Sequence, residues 1–412
     1  MKDLLIHTDA QFQVQEAQGK TEDSLFENSL LYFKSHKGFP VYNTHYKILE
    51  DHILNHVKQM NQSLRSNYVL NQIKSSAILQ TSDPTVQHYI SRFPQKQFLL
   101  QEDGLALKPA CCANAFKTWG LKKSTLKRAE IIHEVSDCYR DQNLGTVRTL
   151  SRSCYFTMPD YHMITVKEKV LEDFNNIRTN LKDVYTRLFG PEWPNFFRQI
   201  VRIEKDKFEY YRQFLEQLNT QCDRDLMVEL LTYEDPLKKP YFELKYELAY
   251  TGGAKLFTLG TIQIDYLYPE LFGLDTKNYT ERVALHFTQG SIPRIIKVLA
   301  MENRIPKKGV KVFAFDKSLS LEFLDELKCS KLMDNTSKNI LASIKHGPME
   351  LKFFPLLAVI GPLENENKTV SIMDRNLKTN YTISQNQFLE QINSDGLYTD
   401  QKETYFTSTN IF

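Results

Sequence analysis

The chain of 412 residues contains no run of eighteen apolar residues, which excludes a membrane-spanning helix. It has little glycine or proline, 15 residues of each, and no internal repeat or low-complexity tract, so neither a disordered chain nor a repeat protein is expected. It also lacks an excess of one charge, because 52 Lys and Arg against 50 Asp and Glu leave a formal net charge of +2. A broad cationic surface for nucleic acid is therefore excluded, and any polyanion must be bound by a local basic site.

The cysteines and the N-terminus exclude further classes of protein. The six cysteines are irregularly spaced and two of them, Cys111 and Cys112, are adjacent, so they do not suggest a disulfide framework. The first nine residues include acids and a histidine where a signal peptide has its apolar core. We therefore expect a cytoplasmic protein with free thiols.

The length predicts more than one domain. Residues 1–30 are polar and Gln-rich, which is typical of a loosely packed leader. A breaker cluster at Ile305–Gly309 separates a large part, residues 31–304, from a tail, residues 305–412. The tail predicts a small α/β domain from four segments in order: a strand over Val310–Phe315, a helix over Leu319–Leu327, a strand over Leu357–Gly361 and a helix over Phe388–Ile392.

The large part mixes both kinds of periodicity. Apolar residues recur at spacings of three and four after Tyr46 and again after Val170, which predicts two amphipathic helices, and a third helix is predicted over Phe196–Leu218. Strands are predicted over Asn67–Ile73, Gln97–Leu100, Pro240–Tyr250 and Gly260–Leu267. Because the longest of these strands alternates apolar and polar residues, we expect an α+β fold with a mainly antiparallel sheet flanked by helices.

Three arginines, Arg140, Arg148 and Arg152, lie within thirteen residues between strand-like segments. Guanidinium groups are forked, permanently charged donors that suit a polyphosphate. Exposed arginines of a hairpin loop would give the same pattern, so both interpretations stand at this point. Further along, Gly290 and Ser291 precede a helix with proline in its first turn, so that the helix amides and Arg294 could face an anion.

Four segments of the chain carry a resemblance to a known family. In order, they are Leu107–Cys112, Tyr139–Gln142, Gly260–Asp265 with Tyr268–Phe272, and Gly290–Arg294. They resemble the catalytic core of the class II aminoacyl-tRNA synthetases, and most closely that of the threonyl-tRNA synthetases. The similarity extends over roughly residues 30–395, and the tail from Lys311 to Ile392 looks like the anticodon-binding domain of that family.

The resemblance implies that an amino acid is activated by ATP, with Mg²⁺ brought by the nucleotide. It assigns Arg140 to the α-phosphate, Gln142 to the adenine, Arg152 to the terminal phosphates, and Arg294 to the adenine or the γ-phosphate. The three arginines are the expected catalytic residues, and these four residues together with Gln263 are the expected ATP contacts. The expected substrate pocket has Asp160 as the partner of the substrate ammonium. Its other expected residues are Cys112, Arg148, Met158, Tyr250, Gln263 and His286.

One part of the resemblance concerns a metal. Threonyl-tRNA synthetases hold zinc with one Cys and two His, and Cys112 and His286 match two of these positions, whereas the first His falls on Arg148. A cation cannot replace a neutral imidazole as a ligand, so zinc is not expected unless Cys111 or His162 supplies the third ligand. Cys112 is equally compatible with a small buried apolar residue, and His286 with a hydrogen-bonded core histidine. Arg148 would place a positive charge in the pocket, which would suit an acidic substrate.

The resulting hypothesis is an aminoacyl-tRNA ligase that forms an aminoacyl-adenylate, binds ATP, an amino acid and tRNA, and is a cytoplasmic homodimer without an editing domain. Two alternatives stay open. A related enzyme would deliver the activated amino acid to a carrier protein or small molecule, and a catalytically inactive relative would act as a binding or regulatory subunit.

Overall fold

The computed structural model describes residues 5–7, 30–36, 38–42, 44–91, 97–100, 104–122, 129–142, 147, 150–222, 224–233, 241–252, 257–266, 282–302, 304, 310–314, 356–374 and 379–393. No helix within these ranges is long and apolar enough to cross a membrane. No disulfide joins the cysteines that are described. Three predicted features lie outside the described residues: Arg148, the segment Tyr268–Phe272 and the helix over Leu319–Leu327.

The chain divides into two compact units. The larger comprises Leu30–Arg304 with Met1–Gly19, and the smaller comprises Ile305–Phe412 with Lys20–Ser29. The strands described in the larger unit are β1 (Leu5–His7), β2 (Leu31–His36), β3 (Phe39–Tyr42), β4 (Val69–Gln72), β5 (Ile78–Gln80), β6 (Leu105–Leu107), β7 (Glu130–Tyr139), β8 (Tyr155–Val166), β9 (Phe197–Glu204), β10 (Met227–Leu231), β11 (Leu244–Tyr250), β12 (Phe257–Asp265) and β13 (Arg282–Thr288).

A nine-stranded sheet forms the frame of the larger unit, in the spatial order β1-β10-β9-β11-β12-β13-β8-β7-β4. The consecutive pairs from β9 to β7 are antiparallel, whereas β1 with β10, β10 with β9, and β4 with β7 are parallel. The mainly antiparallel α+β architecture predicted from the alternating strands is therefore confirmed. The strand β1 lies within the predicted leader, and it extends the sheet by pairing with β10.

The helices described in the larger unit are α1 (Thr44–Asn67), α2 (Pro84–Ser91), α3 (Cys112–Lys122), α4 (Val170–Phe189), α5 (Phe208–Thr220) and α6 (Ile292–Met301). The predicted apolar stripe of α1 is buried, with Leu49, Ile53 and Val57 at 1–2% exposure. Burial of such side chains stabilises the fold by about 1.5–3 kcal/mol each. The helices predicted after Tyr46 and Val170 are thus confirmed.

Two faces of the sheet carry different layers. Phe174 of α4 packs edge-on against Tyr246 of β11, with ring centroids 5.9 Å apart. From α1, Asn61 accepts a hydrogen bond of 2.8 Å from the Tyr161 hydroxyl of β8. On the other face, α3 contributes Cys112 to a core cluster with Ile132 of β7. Because α1, α4 and α5 cover the first face, the second face is left for polar side chains.

The third predicted helix is wrong over its first half. Residues Phe197–Glu204 form β9, and the helix α5 begins only at Phe208. The strand contains the β-branched residues Ile200, Val201 and Ile203, which favour a pleated surface. Its position between β10 and β11 decides the outcome, because both edges of the segment are hydrogen-bonded to neighbours that are distant in sequence.

The smaller unit contains a four-stranded sheet of β14 (Val310–Ala314), β15 (Leu356–Ile360), β16 (Thr369–Asp374) and β17 (Thr379–Ser384), in that spatial order. The helices α7 (Pro362–Glu366) and α8 (Gln385–Asn393) complete its described part. The first two strands are parallel, and the other neighbouring pairs are antiparallel. Both predicted strands and the closing helix of the tail are confirmed.

Candidate active site

Polar side chains of neighbouring strands meet on the second face of the sheet. Residues directly opposite one another on paired strands point to the same face. His286 of β13 lies opposite His162 of β8 on one side and opposite Gln263 of β12 on the other, and Gln263 lies opposite Lys245 of β11. Asp160 points to the same face because it lies two residues before His162. A row of polar groups from four strands results.

The densest part of this surface is a cluster of Cys112, Asp160, His162 and His286, whose potential ligand atoms all lie within 4.8 Å of one another. The two imidazole rings are stacked with centroids 4.5 Å apart. His286 Nε2 lies 2.5 Å from Asp160 Oδ1. Among the described residues, the buried His162 Nε2 has no hydrogen-bond partner, so this imidazole nitrogen is not used in the hydrogen-bond network.

This geometry corrects the expected ligand set. The second histidine beside Cys112 and His286 is His162, which comes from the neighbouring strand, whereas the expectation had placed Arg148 there. Thiolate sulfur and imidazole nitrogen are the donors that zinc prefers, and three protein ligands with one open position are typical of catalytic zinc sites. The residues present therefore fit a zinc ion, and the objection based on Arg148 no longer applies.

The ionisation of the cluster suits such a role. Burial lowers the pKa of His162 to about 3, which keeps the ring neutral as a ligand requires. Burial and the neighbouring Asp160 raise the pKa of the Cys112 thiol well above its usual range. A metal would therefore have to displace the thiol proton, since the thiolate is the ligand.

Asp160 is fully buried yet ionised. Burial would raise the pKa of its carboxyl group, but His286, His162 and the Cys111 amide together lower that pKa to about 2. The Cys111 amide donates to Asp160 Oδ2 at 3.4 Å. A buried carboxylate beside a potential ligand site is well placed to bind a substrate ammonium group.

Three arginines converge beside this cluster: Arg140 and Arg152, which are near one another in the chain, and Arg294, which is distant in sequence. The guanidinium of Arg294, on α6, donates from Nε to Ser151 O at 2.7 Å and from Nη1 to Thr258 O at 3.1 Å. Burial, with repulsion from Arg140 and Arg152, lowers the pKa of Arg294 to about 10. Mutual repulsion of this kind requires the three cations to be close, and such a concentration of forked donors favours an anion with several charges.

The other two arginines are held by their own contacts. Arg140 donates from Nε to Pro109 O at 3.0 Å, and its guanidinium carbon lies 4.9 Å from the Phe156 ring centroid. Arg152 donates from Nε to Gln142 Oε1 at 3.0 Å. The structure therefore brings together Arg140, Gln142, Arg152 and Arg294, which the resemblance had assigned to one nucleotide.

The predicted pocket residues do not all lie on the same face. Met158 is on the face of Asp160 and joins a buried cluster with Cys111 and Phe156. The expectation for Tyr250 is wrong: its ring packs on the opposite face against Phe197, with centroids 5.8 Å apart, and its hydroxyl donates to Glu302 Oε1 at 2.5 Å. The physical reason is the alternation of β11, in which Tyr246, Leu248 and Tyr250 share the face opposite to Lys245.

Sequence reasoning missed Lys245 and treated His162 only as a possible substitute. The alternation of residues along a strand could have indicated both residues from the sequence. His162 follows Asp160 by two residues in a strand, so the two share a face. Lys245 alternates with apolar residues in β11, and its ammonium lies 2.6 Å from Glu247 Oε1, a carboxylate that is 1% exposed.

Comparison with known proteins places this architecture in a family. The tRNA synthetase class II core domain family (G, H, P, S and T) matches residues 98–303, and the chain belongs to this family. Within it, the chain is similar to the threonine--tRNA ligase of Methanococcoides burtonii, at 24% identity over 353 residues, covering 76% of this chain and 54% of that protein. The threonine--tRNA ligase of Staphylococcus aureus (strain Newman) is 23% identical over 395 residues, covering 89% and 60%. The chain thus spans about half the length of the curated relatives that it matches.

Solved structures share the fold. The structure described as the RNA binding domain of threonyl-tRNA synthetase from Cryptosporidium parvum Iowa II matches with a TM-score of 0.66 at 16% identity, covering 90% of this chain and 97% of that chain. A putative threonyl-tRNA synthetase, ThrRS-1, from Aeropyrum pernix matches with a TM-score of 0.63 at 16% identity, covering 87% and 88%.

Proposed function

We propose that this protein activates an amino acid with ATP and transfers it to tRNA, as a relative of threonyl-tRNA synthetase. The observation that carries the proposal is the convergence of Arg140, Arg152 and Arg294 beside the Cys112–Asp160–His162–His286 cluster. The first group suits a polyphosphate and the second suits an amino acid. Together they suit the two substrates of adenylate formation.

The order of side chains along β8 supports this arrangement. Phe156, which lies beneath Arg140, is followed on the same face by Met158, Asp160 and His162. The phosphate end and the ammonium end of the site are thus separated by one side chain, Met158. A substrate carboxylate lying above Met158 would meet the α-phosphate held by Arg140.

In the proposed reaction the substrate carboxylate attacks the α-phosphorus, the bond to the β-phosphate oxygen breaks, and pyrophosphate leaves. No protein group has to remove a proton from a carboxylate that is already ionised. Catalysis would consist of positioning and of stabilising the charge that develops at the phosphorus. Arg140 would bind the α-phosphate, Gln142 the adenine, and Arg152 and Arg294 the remaining phosphates, with Mg²⁺ carried by ATP. Gln263 would contact both substrates.

The donor set adds zinc to the proposal. Cys112, His162 and His286 would hold the ion, and the ion would supply a Lewis-acidic position for the amine and hydroxyl of the substrate. A pocket that requires a hydroxyl discriminates strongly against an isosteric apolar analogue. Metal analysis of the purified protein tests this part: we expect one zinc per chain in the wild type and little in Cys112→Ser, whereas equal zinc in both proteins would contradict it.

The decisive experiment is ATP–pyrophosphate exchange with threonine, serine, valine and aspartate, followed by charging of bulk tRNA. We expect threonine-dependent exchange and charging. Exchange without charging would favour transfer to a carrier protein or small molecule, and no exchange with any amino acid would leave a binding or regulatory subunit. A homodimeric state and a cytoplasmic location belong to the same proposal, and sedimentation analysis tests the first of them.

A further inference from the structure

A buried ion pair lies beside the proposed amino-acid site, and neither of its residues is among those assigned to a substrate. Lys108 Nζ lies 3.0 Å from Glu134 Oε1, and both side chains are only 1% exposed. Burying two charges is costly, because neither the ammonium nor the carboxylate recovers its full hydration energy from the other. A pair in this setting therefore calls for an explanation other than stability.

The pair is aligned with the proposed ammonium site. Glu134 of β7 lies directly opposite Asp160 of β8, so both carboxylates point to the same face. Directly opposed side chains have Cβ atoms roughly 4.5–5.5 Å apart. Lys108 belongs to the segment that also contains Cys111, whose amide donates to Asp160.

Glu134 also accepts hydrogen bonds from Ser75. Ser75 donates to Glu134 Oε1 from its amide at 2.8 Å and from its hydroxyl at 2.9 Å, and the hydroxyl also lies 3.0 Å from Oε2. The Ser75 hydroxyl in turn accepts hydrogen bonds from Lys108 Nζ at 3.0 Å and from Asn114 Nδ2 at 2.8 Å. Glu134 is thus enclosed by fixed donors, whereas Asp160 faces the Cys/His cluster.

We propose that Lys108 is a positioning residue: it neutralises Glu134, so that Asp160 is left as the carboxylate that binds the substrate ammonium. This inference rests on the proposed function. Without Lys108, a second buried carboxylate beside Asp160 would compete for the ammonium. Without Glu134, the Lys108 ammonium would lie unpaired beside Asp160 and compete with the substrate for it.

Pyrophosphate exchange with the amino acid that the wild type activates best tests this inference, using Lys108→Met, Glu134→Gln and the double variant. Each single variant is expected to raise the KM for the amino acid roughly tenfold and to leave the KM for ATP within about twofold, since the unpaired charge lies at the ammonium end of the site. The double variant has no unpaired charge and is expected to recover a wild-type KM for the amino acid within about threefold.

The outcomes separate the possibilities. A double variant as impaired as the single ones would overturn the proposal, because Lys108 would then act only as an anchor of its segment. Equal increases in both KM values would also overturn it. If a single variant does not fold, the double variant decides: a wild-type KM for the amino acid supports the proposal, and a raised one contradicts it. A wild type without any exchange contradicts the proposed function itself, and this inference with it.

The chain offers a matched control for the loss of a lysine ion pair. Lys117 of α3 pairs with Asp83 at 2.6 Å, but its side chain is 40% exposed. Ion pairs exposed to solvent contribute little to the stability of a protein. Lys117→Met is therefore expected to change neither the KM for the amino acid nor the KM for ATP. A tenfold increase in the KM for the amino acid in this variant would show that the effect is not specific to the buried pair.

Discussion

Ionisable residues of the site owe their charge states to burial and to a few near neighbours. Asp160 stays ionised because His286 and the Cys111 amide stabilise its negative charge. His162 stays neutral because burial disfavours its protonation. Arg294 is less basic than usual because it is buried beside Arg140 and Arg152. The proposed function assigns three different ligands to these residues: an ammonium to Asp160, a metal to His162 and a polyphosphate to Arg294.

Arg140→Ala is expected to reduce pyrophosphate exchange by roughly 10²–10³-fold, the usual effect of removing one donor that stabilises a developing charge. Thermal stability should change little, because the Arg140 side chain is only partly buried. Exchange rates and thermal melts check both parts. The exposed Arg212→Ala, which breaks a pair with Glu209, is the control. A large loss of stability with normal exchange would mean that Arg140 is structural.

His133 predicts a pH dependence of stability. Burial lowers its pKa from 6.5 to about 4, while Nδ1 donates to the Asp160 main-chain oxygen at 3.2 Å. Between these two values the unfolded chain binds the proton and the folded chain does not. The contribution of His133 to the free energy of unfolding is therefore complete above pH 6.5. It is lost as pH falls toward 4, by about 1.4 kcal/mol per pH unit.

Urea unfolding of the wild type and His133→Gln at pH 7, 6 and 5 measures this dependence. The difference in the free energy of unfolding between the wild type and the variant is expected to narrow as pH falls. Only the wild type loses stability in this way, because glutamine does not bind a proton in the unfolded chain. A constant difference over this range would show that His133 titrates normally in the folded state.

At the scale of elements, the pleat of the sheet decides which side chains can cooperate. Met158, Asp160 and His162 share one face of β8, while Tyr161 between them points to the helices and bonds to Asn61. The same alternation removes Tyr250 from the site. The turn between β13 and α6 completes the site, since it directs Arg294 toward the other two arginines.

Gly290 in that turn has a φ of +109°, and a Cβ there would lie 2.9 Å from Leu259 O. Gly290→Ala is therefore expected to cost about 1–3 kcal/mol of stability and to raise the KM for ATP, because α6 must shift with Arg294 on it. The control is Gly104→Ala, where φ is +83° but the nearest contact to a Cβ would be 3.5 Å. Urea unfolding and exchange kinetics compare the two. Equal losses of stability in the two variants would mean that the contact of the new Cβ with Leu259 O is unimportant.

At the scale of the whole molecule, the candidate site belongs to the larger of the two compact units. Every described residue assigned to ATP, the amino acid and the metal lies in Leu30–Arg304, which has its own buried core. Compact units with their own core commonly fold independently. The smaller unit retains the expected role of an anticodon-binding domain as a prediction.

A chain ending after Arg304 is thus expected to unfold cooperatively and to keep pyrophosphate exchange within about threefold of the full chain, while charging of tRNA falls much further. Calorimetry and the two assays check this outcome. Loss of exchange in a folded truncated chain would show that the smaller unit contributes to the site.

Residues close in sequence determined much of this protein by themselves. The amphipathic helix α1 follows from its apolar spacing, because a helix buries every third or fourth residue whatever it packs against. The alternation of β11 likewise predicted a strand of an antiparallel sheet. Resemblance in short motifs predicted Arg140, Arg152, Asp160 and Arg294, and the structure brings these side chains together.

Tertiary structure alone decided the rest. Phe197–Glu204 became a strand because it lies between two partners that are remote in the chain. His162 joined Cys112 and His286 through the register between β8 and β13, and a register is set by contacts that local sequence does not contain. The same kind of pairing, between β7 and β8, placed Glu134 opposite Asp160. Charge, spacing and motif belong to the sequence, whereas the choice of neighbours across the sheet depends on how the whole chain packs.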